Sequence, residues 1–482
     1  MILIKFVYKI LKDKMWYLLG RSERETMKVL GATFAESWLD RFITRVVGRQ
    51  GSLRFRLAKD TIGVMIIRAL SMGLGFAISV VLARLLGVRE FGLYSLAMSV
   101  LGLLVVPATF GFPRLLVREI AAYRVKGEWS LIRGLLRFAQ RTSLLASLSI
   151  ALLGWLALWL LSGRFSGETL QVLALAFLAL PFWALLQLHG AALRGFERIL
   201  ASQWIITVMR PLSFLILIGV TWFFFRKLGN APFALGLHIL AAGIALAFAF
   251  YLLRSQLIRS VPSNVESQNT AVWVRSALSL AFLGILNLIP QHAGILILGW
   301  MRGPEEVGLY KVAYQTASLI PFGLMAVNTA IAPTLAQLYA VGDKTKLRKV
   351  MLTASAVATA FALPLVLLFI FKGKWFLSLA FGEAFAESTT ALAIITGGQT
   401  INAMTGPVGL LLIMSGYEGK AILGRGIGGA VNLVLNLALI QLWGINGAAA
   451  ALAISISITM LLYTYFVIRI LQASSSGAGG AK

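Results

Sequence analysis

The sequence predicts an all-α integral membrane protein of about 12 transmembrane helices, arranged as two parallel-repeat six-helix lobes around a central cavity. Three observations predict it. Hydrophobic residues make up 59% of the 482 and charged residues 13%, with a mean hydropathy of +0.85, far from the composition of a soluble domain. The apolar residues fall in runs of about 20, each long enough at about 1.5 Å per residue to cross a hydrocarbon core about 30 Å thick. Finally, "GVREFGLYSLA" at 87–97 returns in the same direction as "GPEEVGLYKVA" at 303–313, 216 residues later.

Residues 1–60 form an N-terminal extension. Lysines at 5, 9, 12 and 14 interrupt its apolar run, so it does not read as a secretory signal. Leu3, Phe6, Val7, Ile10 and Leu11 share one helical face and Lys5, Lys9 and Lys12 another, the pattern of a helix on an anionic membrane surface. A poorly ordered extension is the alternative. The first lobe, 61–253, carries spans 1 to 6 near 61–83, 91–112, 142–162, 169–189, 202–224 and 231–253. A polar linker, 254–275, joins it to the second lobe, 276–470, with spans 7 to 12 near 276–299, 308–331, 351–371, 389–413, 422–442 and 447–468. Residues 471–482, ending in "SSSGAGGAK", form a flexible tail. The runs lack the period-2 alternation of barrel strands, so helices satisfy the backbone in lipid.

Charge sets the orientation. There are 44 Lys and Arg against 18 Asp and Glu, which in a soluble chain would suggest nucleic acid. With the N-terminus inside, about 33 of the basic residues fall on cytoplasmic segments and about nine outside, so the excess reads as topology and no nucleic-acid partner is expected. Both termini are then cytoplasmic. Six spans separate the two Gly-Leu-Tyr segments, so both begin an even-numbered helix on one side of the membrane. Parallel repeats of this kind enclose a cavity worked by alternating access.

The stretch "VVLARLLGVREFGLYSLA", running on to "TFGFPRLLVREIA", resembles the first two spans of bacterial polysaccharide flippases of the Wzx type, in the multidrug/oligosaccharidyl-lipid/polysaccharide exporter superfamily. "ALRGFERILA", "LSLAFGEAFAESTTAL" and "WGINGAAAALAISIS" resemble later parts, and the likeness runs from about Asp60 to Ile470. The resemblance implies transfer of polyprenyl-diphosphate-linked oligosaccharide from the cytoplasmic to the periplasmic leaflet of the bacterial inner membrane. Membrane lipids, a polysaccharide polymerase and glycosyltransferases are the partners that such a role brings. The alternatives are a cation-coupled multidrug antiporter and a non-transporting scaffold of a glycan-synthesis complex.

Enzymatic chemistry has little to stand on. The chain has no cysteine, and its three histidines, His189, His238 and His292, lack metal-ligand spacing. There is no phosphate-binding GxxxxGK[ST] loop, so no cofactor is expected. All four aspartates, Asp13, Asp40, Asp60 and Asp343, fall outside the spans, whereas a cation-coupled antiporter needs an intramembrane carboxylate. Two arginines do fall within spans. Arg68 and Arg210 should each lie roughly 10–12 Å below the cytoplasmic helix end, either facing a watery cavity, where the guanidinium fork matches diphosphate oxygens, or snorkelling to headgroups. Pro211 disfavours helical geometry at Arg210 and predicts a kink there. In "NLIPQH", Asn287 and Gln291 share a helical face, and His292 is either a titratable cavity group or a histidine packed between helices. Asn432 and Asn436 form another polar pair, read as helix-to-helix glue.

A reporter active only in the cytoplasm should work when fused after Lys126 or Lys346 and fail near Gly303. Activity at all three positions would overturn the span assignment.

Overall fold

The computed structural model describes residues 53–225, 229–260 and 270–476, and among these it contains helices and no strand. The chain divides into two compact units, Met1–Ile66 and Ile67–Lys482. Of the first, the described part is the opening of helix Leu53–Thr109, and the amphipathic pattern of residues 1–12 lies outside the described residues. The second unit carries everything that follows.

Twelve crossings can be followed in chain order. Spans 1 and 2 are the two arms of helix Leu53–Thr109, which turns at Gly87. Spans 3 to 6 are Trp129–Leu160, Gly167–Gly195, Ile199–Phe225 and Ala231–Ser260. Span 7 is Thr270–Met301, and span 8 is Pro304–Ala317 continued by Phe322–Val341. Span 9 lies in Lys344–Phe381, and span 10 is Thr389–Thr405 followed by Val408–Met414. Spans 11 and 12 are the arms of Glu418–Ser476, which turns at Gly444.

Several helices run past the apolar stretches that reveal them. Phe112–Lys126 extends span 2 and the start of Trp129–Leu160 precedes the apolar part of span 3. Phe112, Leu115, Leu116, Ile120, Ile132, Leu135 and Ala139 are buried there against Leu186, Leu193 and Trp273, while the arginines point outward. These segments are amphipathic, and a hydropathy window sees only their charged face. They mark the basic end of the molecule; the Gly87 and Gly303 turns mark the opposite one. At the basic end Asp343 caps Lys344–Phe381 and pairs with Lys346 at 3.0 Å, which holds its carboxyl below the ordinary carboxylate range.

The duplicated segments explain one another. Gly87 (φ 77°, ψ 178°) and Gly303 (φ 100°, ψ 179°) adopt the same conformation, open to glycine and strained for other residues, and turn spans 1–2 and 7–8 alike. Five residues on, Gly92 and Gly308 cross at backbone contact. A Cβ on Gly92 would overlap the Pro304 carbonyl oxygen and lie 2.9 Å from Gly308 N; one on Gly308 would overlap the Val88 carbonyl oxygen. The glutamate between turn and crossing reaches the start of the sixth helix of its own half. Glu90 Oε2 accepts from Ala231 N at 2.6 Å at the start of span 6, and Glu306 lies against Gly444 where span 12 begins. A carboxylate at a helix N-terminus satisfies an orphan N–H and favours the helix dipole.

Other contacts tie the two halves at this end. The Arg84 guanidinium donates to the carbonyls of Ala380, at 2.8 Å, and Leu379, the last acceptors of Lys344–Phe381. Phe76 stands edge-on to Phe381 at 5.6 Å, and Phe91 to Phe385 at 6.1 Å. At the basic end, Trp273 of span 7 joins the apolar cluster of Phe112 and Phe138 and donates to Tyr123 Oη at 3.1 Å.

Gly92→Ala and Gly308→Ala should each destabilise the protein by about 1–3 kcal/mol, since backbone must move to admit the methyl. Gly73→Ala, whose Cβ would meet open space, should be neutral or stabilising by up to about 1 kcal/mol. Thermal unfolding of the purified variants in detergent checks the contrast.

Candidate functional site

Below the glycine crossing, the facing surfaces of spans 2 and 8 diverge in chemistry. Gly92, Ser95, Ser99 and Gly102 share one face of span 2 at helical spacing; Gly308, Lys311 and Gln315 share one of span 8. Ser95 and Ser99 are buried, and Ser95 Oγ has no partner among the described residues. Lys311, 216 residues on from Ser95, lies one turn below the crossing and about 10 Å along the helix from Pro304. Its Nζ stands 5.6 Å from the Tyr314 ring centroid, within cation–π range, and no carboxylate pairs with it among the described residues.

Span 7 adds a histidine to this seam. His292 presses on Gly102, where a Cβ would come within 2.7 Å of its Cε1, so glycine is what admits the imidazole. Its Nδ1 is buried without a partner among the described residues. A buried hydroxyl and a cation thus lie about one turn below the crossing, and an imidazole about 15 Å below it, along the seam between the halves. That donor set suits an anionic, hydroxyl-rich head group.

The expected site residues fall in different places. Arg68 is exposed on span 1. Gln291 is exposed and engaged in an interaction of its own, while the Asn287 side chain lies outside the described residues. Asn432 donates to Ser455 Oγ at 3.3 Å and Asn436 donates to Asn432 Oδ1 at 3.0 Å, tying span 11 to span 12.

Arg210 is deeper than expected. Span 5 begins at Ile199, so Arg210 lies about 16 Å from its start, against the roughly 10–12 Å expected. It is also helical (φ −59°, ψ −53°). The proline that predicts a kink is accommodated instead by a π-helical turn, Trp204–Met209, whose wider coil leaves room ahead of the ring. Within the first half the Arg210 guanidinium stands 4.9 Å over the Trp183 ring. His238 lies 5.0 Å from that indole and 4.2 Å from Phe214, which stacks at 6.3 Å on Tyr94.

The sequence does not single out Lys311 because a span begun at Gly308 puts the lysine in its first turn, near the membrane boundary. The helix starts at Pro304 and Gly308 is already inside the packing. The usable signal was the motif itself, since a lysine three residues after a crossing glycine must share its face.

The family model for "Polysaccharide biosynthesis protein" matches residues 57–339, and a second, MatE, matches 280–417. A probable low-salt glycan biosynthesis flippase, Agl15 of Haloferax volcanii, is 22% identical over 82% of this chain and 80% of its own. The lipopolysaccharide biosynthesis protein WzxC of Escherichia coli is 22% identical over 77% of this chain and 75% of its own. Among solved structures, the lipid II flippase MurJ in an inward closed conformation shares the fold with a TM-score of 0.68 at 14% identity, covering 84% of this chain and 87% of that one. An inward-facing multidrug resistance MATE family transporter of the MOP superfamily gives 0.71 at 13% identity, covering 86% and 99%.

The chain has no native cysteine, so single cysteines report access directly. Lys311→Cys should react with an impermeant thiol reagent from the basic face and resist it from the Gly87 face. Equal labelling from both faces would mean that the glycine crossing does not seal the seam.

Proposed function

From the premise that this chain belongs to the polysaccharide biosynthesis protein family, a multi-pass transporter of the MOP superfamily, we propose that it flips polyprenyl-diphosphate-linked oligosaccharide from the cytoplasmic to the periplasmic leaflet. The observation that carries this reading is Lys311, one turn below the Gly92–Gly308 crossing on the seam that His292 joins further down, a cation with no carboxylate to neutralise it among the described residues. The basic end faces the cytoplasm of a bacterial inner membrane, and both termini lie there. Arg68, near that end, makes first contact with the diphosphate. Lys311 holds it beneath the crossing while the polyprenyl chain stays in lipid.

Residues 61–253 and 276–470 are the bodies that rock against each other. Rocking separates Gly92 from Gly308 and exposes the head group to the periplasm. A hydrated path spares each hydroxyl and phosphate a desolvation cost of several kcal/mol. The name of the Haloferax relative and the match to glycan-synthesis proteins support this substrate class over a drug. The absence of a carboxylate beside Lys311 among the described residues weighs against a cation-coupled antiporter.

Lys311→Ala should lower surface glycan about 10- to 100-fold at unchanged membrane abundance, the loss expected for one charged hydrogen bond. Lys311→Arg should keep much of the activity and Lys311→Glu none. Arg68→Ala should have a smaller effect in the same direction. Surface glycan measured alongside membrane protein level separates transport from folding, and normal export by Lys311→Ala would sink the proposal.

A further inference from the structure

The Arg210 cluster lies away from the seam. Tyr94 is two residues from Gly92 and therefore points about 200° away from the crossing, into the first half. There His238 of span 6 bonds it and Phe214 of span 5 stacks on it, and His238 in turn stands against Trp183 of span 4, over which Arg210 lies. Arg210 Nε is buried with no hydrogen-bond partner, and the Trp183 ring face is the contact that the guanidinium makes among the described residues.

No carboxylate of the first half is free to neutralise this charge. Glu90 is spent on Ala231 N, Glu119 pairs with Arg118, Glu168 with Arg89 and Glu197 with Arg124. Glu128 stands at the basic end, immediately before Trp129–Leu160. An isolated cation this deep carries a large desolvation cost, which a counter-charge relieves.

The cluster also offers a second donor. Tyr94 Oη lies 2.5 Å from His238 Nδ1 and has no other acceptor among the described residues, so the phenol donates and the imidazole hydrogen sits on Nε2. Nε2–H is thereby left available beside the same indole that Arg210 covers. The surroundings are aromatic and tight: Tyr94, Trp183, Phe214 and His238 are each more than nine-tenths buried. Arg210 itself is partly exposed, and so tight an aromatic setting suits a monatomic, weakly hydrated anion better than a sugar diphosphate.

We infer that the interior of the first half holds a chloride-class anion between the Arg210 guanidinium and His238 Nε2–H. The site is distinct from the seam below the glycine crossing. It braces span 2 through Tyr94, and so stabilises the body that must move as a unit. It is independent of which glycan is carried.

The test uses the full-length protein in detergent, without glycan, comparing sodium chloride with sodium gluconate at equal ionic strength. Chloride should raise the unfolding midpoint by about 2–4 °C, and inorganic pyrophosphate should not reproduce the rise. Arg210→Gln should lose the chloride increment and His238→Phe should weaken it, whereas Lys311→Gln should retain it. An increment kept in Arg210→Gln, or lost in Lys311→Gln and reproduced by pyrophosphate, would overturn the inference and assign the anion to the seam. Equilibrium dialysis with radioactive chloride on the unmodified protein decides the matter should Arg210→Gln not fold: saturable binding supports the site, and its absence at physiological chloride overturns it.

Discussion

Two glycine backbones in contact, Gly92 on span 2 and Gly308 on span 8, are the constraint around which the rest is arranged. Without side chains the helices approach until carbonyl oxygen meets α-carbon, and dispersion over that close contact is what holds helices together in lipid, where the hydrophobic effect gives no preference. Everything else in the repeated segment serves that approach. Gly87 and Gly303 aim the helices, Glu90 bonds the start of span 6 while Glu306 lies against the start of span 12, and Tyr94 and Tyr310 point inward. The motif recurs because both partners of a pseudo-twofold contact need the same surface.

Contacts around the crossing divide into those within a half and those between halves. Glu90 on Ala231, Arg302 on the carbonyls of Ile440 and Gln441, and Asn432 on Ser455 each lie within one half. Between the halves at the Gly87 end are the glycine crossing, Arg84 on Leu379 and Ala380, and three aromatic pairs. These last use carbonyls at a helix terminus and ring edges. Helix-end carbonyls exchange readily with water, so the seam parts at lower cost than either interior.

The distribution of charge follows the same division. Each half has one basic side chain set over an aromatic ring at membrane depth, Arg210 over Trp183 and Lys311 by Tyr314, and neither has an acid beside it among the described residues. Arg210 faces the interior of its half and Lys311 the seam. The difference follows from position on the helix: Lys311 is three residues from a crossing glycine, whereas Arg210 is four from Phe214 and shares its inward face.

The membrane class, the number of crossings and the recurrence of one segment were legible in the sequence, because hydropathy and repetition are properties of the chain alone and lipid imposes helices on apolar runs of that length. The asparagine pair of span 11 was legible as helix glue for a related reason, since two amides buried at helical spacing must find partners in lipid. Depth and facing were not. Arg68 and Arg210 look equivalent by their distance from apolar boundaries, yet Arg68 is exposed while Arg210 lies over Trp183, and Arg210 stays helical ahead of Pro211 beside a π-helical turn. Lys311 was hidden by a boundary placed a few residues late. Which side chains meet across the seam is decided only when Gly92 and Gly308 touch, because the rotation of each helix about its axis is a property of packing, and hydropathy is indifferent to it.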